Sequence, residues 1–93
     1  MIGLAKGQQI IDKIKVQSKM GHGTLYLINT GISFEVSGRG LFLELYYDEI
    51  LYSNAAKKDS LVISWTEGVA TYDMKFNIKN AAEIAQKINQ YKK

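Results

Sequence analysis

The sequence predicts a mainly β domain: a bent antiparallel barrel of about seven strands capped by one C-terminal amphipathic helix. Three observations predict it. Apolar residues alternate with period two through most of the chain. Gly-bearing turns separate those segments. The period switches to a helical one only after residue 80. At 93 residues there is room for one core and therefore one domain, spanning 1–93. Parallel α/β folds need helices between strands, and this pattern supplies none there. The chain has no Pro and no Cys, which removes disulfides, thiolate metal sites and Cys nucleophiles.

Each element has its own justification. Gln9–Val16 reads as a strand because Ile10, Ile14 and Val16 share parity. The stretch 17–23, with Ser18, Gly21 and Gly23, reads as a loop. Thr24–Ile28 is rich in β-formers. Asn29-Thr30-Gly31 is a tight-turn sequence in which Gly31 is expected to take positive φ. Ile32–Val36 is the returning strand, and Ser37-Gly38-Arg39-Gly40 the next turn. In Leu41–Tyr47 the face carrying Leu41, Leu43, Leu45 and Tyr47 is expected to point inward. Asp48 and Glu49 suggest a bend, Ile50–Ser53 a short strand and Asn54–Asp59 a loop. Leu61–Trp65 is a strand, Thr66-Glu67-Gly68 a turn, and Val69–Phe76 a strand with Ala70, Tyr72, Met74 and Phe76 on one face.

The last segment is helical. Asn80 is a good N-cap, and Glu83 completes a capping-box-like pair. Ala81, Ile84, Ile88 and Tyr91 fall on one stripe, flanked by Ala85. A sheet of this length must bend to bury one face, and the bend leaves an open end. The stripe is expected to plug that end.

The net charge of +3 is unevenly spread. Residues 1–23 carry +3, residues 24–56 carry −3 and residues 57–93 carry +3. All basic residues but Arg39 are Lys, which gives solvated point charge rather than bidentate readout. No apolar run approaches the ~20 residues of a membrane span. The N-terminal MIGLAKGQQ lacks the pattern of a signal peptide, so a cytoplasmic location is expected.

Three segments carry a family resemblance. Gly23-Thr24-Leu25-Tyr26-Leu27-Ile28-Asn29-Thr30-Gly31-Ile32-Ser33-Phe34-Glu35 resembles a hairpin of pleckstrin-homology-like domains, in the GRAM and GLUE branches. Leu43-Glu44-Leu45-Tyr46-Tyr47-Asp48-Glu49-Ile50 is similar to a segment of GRAM domains. Leu61-Val62-Ile63 followed by Tyr72-Asp73-Met74-Lys75-Phe76 resembles their later strand pair. The resemblance covers roughly residues 9–91. It implies a barrel closed by its helix, a binding module rather than an enzyme, and basic residues on the first loop that meet inositol phosphates.

The candidate chemistry is sparse. His22 is the only histidine, and the adjoining sequence offers it no acid. No Ser lies in a nucleophile elbow, and Asp48-Glu49 are neighbours that point apart. No catalytic residue, metal or cofactor is expected, and the protein reads as a non-enzyme. The leading reading is an adaptor for a protein or peptide partner, contacted through Phe42, Tyr46, Asp48, Glu49, Tyr52 and Trp65. These aromatics are expected off the core parity, beside acids that favour a basic partner. The alternative is a peripheral module for anionic lipid head groups, using Lys13, Lys15, Lys19, His22 and Arg39. Thr24–Ile28 carries no Lys or Arg to complete that set. Nucleic acid is not expected, because the aromatics lack interleaved Arg. Self-association through an open strand edge is a further expectation.

Overall fold

The computed structural model describes residues 4–92. Seven antiparallel strands form one sheet: β1 (Ile10–Ser18), β2 (Gly21–Ile28), β3 (Gly31–Val36), β4 (Gly40–Tyr46), β5 (Ile50–Lys57), β6 (Ser60–Glu67) and β7 (Ala70–Asn77). A 3-10 turn (Tyr47–Glu49) joins β4 to β5, and one helix, α1 (Ala81–Lys92), ends the chain. The spatial order is β4-β3-β2-β1-β7-β6-β5. No helix among the described residues is long and apolar enough to cross a membrane.

The sheet bends over itself without closing. Phe34 on β3 and Phe76 on β7 are separated in strand order by β2 and β1, yet their rings meet edge-to-face at 5.0 Å. Only a fold in the sheet brings them together. The fold lies between β1 and β7, which share a single register pair, Gln17 with Asn77. Antiparallel pairing from that point runs each strand past the other's end, so the halves splay apart. β4 and β5 remain the two edges of the sheet. The barrel that the pattern suggested is thus an open cup.

One core fills the cup. Leu25, Leu27, Ile32 and Phe34 from the first half meet Leu61, Ile63, Trp65, Met74 and Phe76 from the second. The helix adds Ala81, Ile84, Ala85 and Ile88, packing on β5, β6 and the 3-10 turn. Two polar ties fix its seat. Ser53 Oγ lies 3.0 Å from both the Ala85 carbonyl and Asn89 Oδ1, and Asn89 Nδ2 donates back to the Ser53 carbonyl at 3.1 Å. Lys87 Nζ reaches Asp12 on β1 at 3.0 Å. That bond holds the Asp12 carboxyl below its usual range and raises Lys87.

Several local expectations change. The first loop shrinks to Lys19-Met20, because Gly21, at φ 115°, lets β2 begin at once. Gly31 takes no positive φ. It is needed because a Cβ there would run into the Leu45 backbone of β4. β5 extends to Lys57, through most of the expected loop: pairing with β6, with irregularities near Leu51 and Ala56, overrides the weak β tendency of Asn54-Ala55-Ala56-Lys57. On β4 an irregularity opposite Phe34/Glu35 inserts Phe42, so Leu41 faces Glu35 and is 52% exposed instead of buried. Asn80 has φ 59°, a left-handed residue and not an extended capping one, although its carbonyl accepts the first helical bond from Ile84. Tyr91 is half-exposed and stacks on Tyr47 at 5.7 Å.

Candidate functional site

Edge strands offer unpaired backbone groups, and what stands on them decides whether they invite a partner. β4 reads Gly-Leu-Phe-Leu-Glu-Leu-Tyr, with no Lys. Its extra residue, Phe42, is 48% exposed while touching Phe34 edge-to-face at 6.2 Å. Tyr46, at the far end, is 59% exposed. The 3-10 turn then presents Asp48 and Glu49 to solvent. Glu49 Oε1 accepts from the Tyr46 backbone N–H at 2.9 Å, which ties the acidic turn to the end of β4.

The expected partner-contacting set is therefore only partly assembled. Phe42, Tyr46, Asp48 and Glu49 follow one edge and its turn. Tyr52 is exposed on the opposite edge, paired across from Ser64. Trp65 does not belong to the surface. It is 7% exposed within the core, stacked with Tyr72 at 6.0 Å, and its Nε1 donates to Glu67 at 3.1 Å. In register with Ile50 and Tyr72, it closes the core near the end of the cup, which a strand-terminal Trp facing inward will do. Beside the site, Tyr47 buries its ring and donates its hydroxyl to the Ile28 carbonyl at 2.7 Å. Burial, with Tyr91 next to it, pushes its phenol up to about 12.

The basic set divides differently from expectation. Lys13 and Lys15 do share a face, opposite Tyr26 and Thr24. Lys15 lines an open groove of about 570 Å³ with His22, Asp59 and Lys79 over a floor of Ile14, Val16 and Ile78. Lys19 lines a second groove of about 320 Å³ with Asp73 and Lys75. The two grooves flank the Gln17–Asn77 pair, one on each side of the splay. Arg39 sits in the β3–β4 turn, which the Ser37 N–H joins to the His22 carbonyl at 2.9 Å. Lys13 and Arg39 line neither groove.

Sequence reasoning missed Lys75 and Lys79. Both are remote from the first loop in the chain, and only the meeting of β1 with β7 brings them beside it. It also left His22 without a neighbouring acid, whereas the fold places Asp59 in the same groove. Among the described residues no three of His, Asp or Glu gather to hold a metal ion.

No protein-family model matches this chain, and no curated protein matches it. The site is therefore read from its own residues: an apolar edge with an acidic turn on one side of the molecule, and lysines around a splayed strand pair on another.

Proposed function

We propose that this chain is a pleckstrin-homology-like domain of the GRAM or GLUE kind that acts as a non-enzymatic adaptor for a protein or peptide partner. The observation that carries the reading is β4: an edge strand, unpaired on its outer side among the described residues, bearing exposed Leu41, Phe42 and Tyr46. An extended segment adds to such an edge through main-chain hydrogen bonds, and side chains standing on the edge select it. Asp48 and Glu49 at its end favour a partner with basic character. The family part of the proposal rests on the hairpin residues together with seven strands followed by a C-terminal helix.

The test is comparative affinity capture with the wild-type chain and Leu41→Lys/Tyr46→Lys, two exposed changes that put lysines on the edge. A partner held by the wild type and lost by the variant supports the proposal. Identical captured sets from both proteins refute it.

A second reading is favoured by the lysines at the splay. Lys15 and Lys79 on one side of Gln17–Asn77, and Lys19 and Lys75 on the other, suit a diffuse anionic surface. Co-sedimentation with vesicles containing phosphatidylserine tests it. Binding that Lys75→Glu/Lys79→Glu abolishes supports a membrane role, and wild-type protein left in the supernatant at low salt ends it.

A further inference from the structure

The larger groove beside the Gln17–Asn77 pair has an anatomy that its lysines alone do not explain. Four consecutive residues of β1, Ile14 to Gln17, line it. Side chains on a strand alternate between faces, so a groove lined by consecutive residues runs along the strand's edge. That edge is unpaired. Ile14, Lys15 and Val16 are in register with β2 on one side, and on the other β7 meets β1 only at Gln17. Among the described residues no turn or side chain bonds the open side of this stretch; the nearest such bond is the Lys13 N–H donating to Asp12 Oδ1 at 2.8 Å. The groove is a vacant strand position about 10 Å long. Its rim is basic. Lys15 and Lys79 stand exposed on it, and the β5–β6 turn that brings in Asp59, its one acid, also carries exposed Lys57 and Lys58. The ion pair among the described residues is Lys87–Asp12, so none of these four lysines has a carboxylate partner.

We propose that this groove takes a short acidic peptide in extended form, which adds to β1 as a further strand. The site is a different edge from β4 and does not rest on the adaptor reading. Main-chain bonds to an open edge hold such a segment, and alternate side chains select it. The alternation of β1 dictates which ones. Val16 is a core residue and Ile14 packs against that core, so peptide side chains standing beside these two reach an apolar floor completed by Ile78. The side chain between them lies on the other face, beside Lys15. Opposite charges so paired across strands attract, and apolar neighbours on the inner face add to this. The sequence that fits is apolar-acid-apolar, with further acids reaching Lys79 and the β5–β6 turn. An anionic membrane uses the lysines but neither the unpaired edge nor the floor, and for that reason the peptide is the favoured occupant. Three paired residues and a few solvated ammonium groups make a weak complex, with Kd about 0.1–1 mM.

Titration of isotope-labelled protein with acetyl-Val-Glu-Val-Glu-Val-amide, followed by backbone amide shifts at low salt, tests this; the amide spectrum also shows that each variant is folded. Saturable shifts should centre on Ile14–Val16 and Ile78–Lys79. Lys15→Glu/Lys79→Glu, two exposed changes, should weaken binding by about tenfold or more. A peptide of the same composition without the alternation, acetyl-Glu-Glu-Val-Val-Val-amide, should bind about threefold or more weakly, because it cannot set an acid beside Lys15 with apolar neighbours on both sides. Absence of saturable shifts up to about 5 mM peptide overturns the proposal. Equal affinity for the two peptides does so as well, as does a charge-reversed variant that binds like wild type. Vesicles containing phosphatidylserine that shift the same amides when the peptide does not would also overturn it and give the lysines to the membrane reading. None of these results bears on the capture experiment at β4, so the adaptor proposal and the peptide groove fail separately.

Discussion

Replacing Ile88 by Ala asks whether the helix seals the cup or merely rests on it. Ile88 is fully buried, on the same helical face as Ala81, Ile84 and Ala85, and belongs to the single core. The substitution removes three carbons from that core. At ~0.8 kcal/mol per buried methylene the transfer loss is about 2.4 kcal/mol. A residual cavity adds to this, since neighbours relax only in part. The better helix propensity of Ala returns about 0.4 kcal/mol. The net loss is about 2–4 kcal/mol, a large share of the ~5–14 kcal/mol expected of a chain this long. Urea unfolding followed by Trp65 fluorescence measures it directly: Trp65 is the only tryptophan and is buried in that core. The midpoint should fall sharply with the slope unchanged. Tyr91→Ala, at the half-exposed end of the stripe, should cost clearly less. A loss below ~0.5 kcal/mol for Ile88→Ala, or one equal to that of Tyr91→Ala, would refute the packing argument.

Other perturbations probe other joints. Gly31→Ala places a methyl group against the Leu45 backbone, so β3 and β4 must separate locally; it should cost about 1–3 kcal/mol and speed amide exchange along β4. Lys87→Met removes the partner of Asp12. The Asp12 contribution is present above the ordinary 3.8 and fades as pH falls through its lower folded value, while that of Lys87 is present below the ordinary 10.5 and fades as pH rises through its higher one. The variant should therefore be less stable than wild type between those limits, and urea midpoints should converge at strongly acid and strongly alkaline pH. Tyr47 holds its proton more tightly folded than unfolded, so wild-type stability should fall as pH climbs from 10 toward 12. Tyr47→Phe should flatten that decline but cost about 0.5–1.5 kcal/mol at neutral pH, by removing the buried hydroxyl's bond to the Ile28 carbonyl.

The central strands were easiest to read. Leu61–Trp65, paired with β5 and β7, is buried nearly throughout, and on β7 alternation holds at Met74 and Phe76, whereas Tyr72, expected on the same inner face, is 48% exposed where β7 has run past the end of β1. β4 and β5 were harder. Each is an edge, each carries an irregularity, and one inserted residue reverses parity, which turned Leu41 outward and Phe42 toward Phe34. The same shift decided how much of the partner-contacting set was legible. Phe42, Tyr46 and Tyr52 are exposed as expected, but on two different edges, and Trp65 is inside. The basic residues of the first loop were recognisable as charge, yet half of the lysines that gather at the splay come from β7 and the turn before the helix.

By itself the sequence determined one small β-rich domain, the turns that divide it and the amphipathic helix that ends it. Those properties follow from hydrophobic period and turn chemistry, which act between residues a few positions apart. Only the tertiary structure decided that β1 and β7 meet at one pair, that the cup stays open along β4, and that Lys75 and Lys79 stand beside Lys19 and Lys15. Those depend on contacts between residues some sixty positions apart in the chain, and local pattern carries no record of which distant strand will lie alongside.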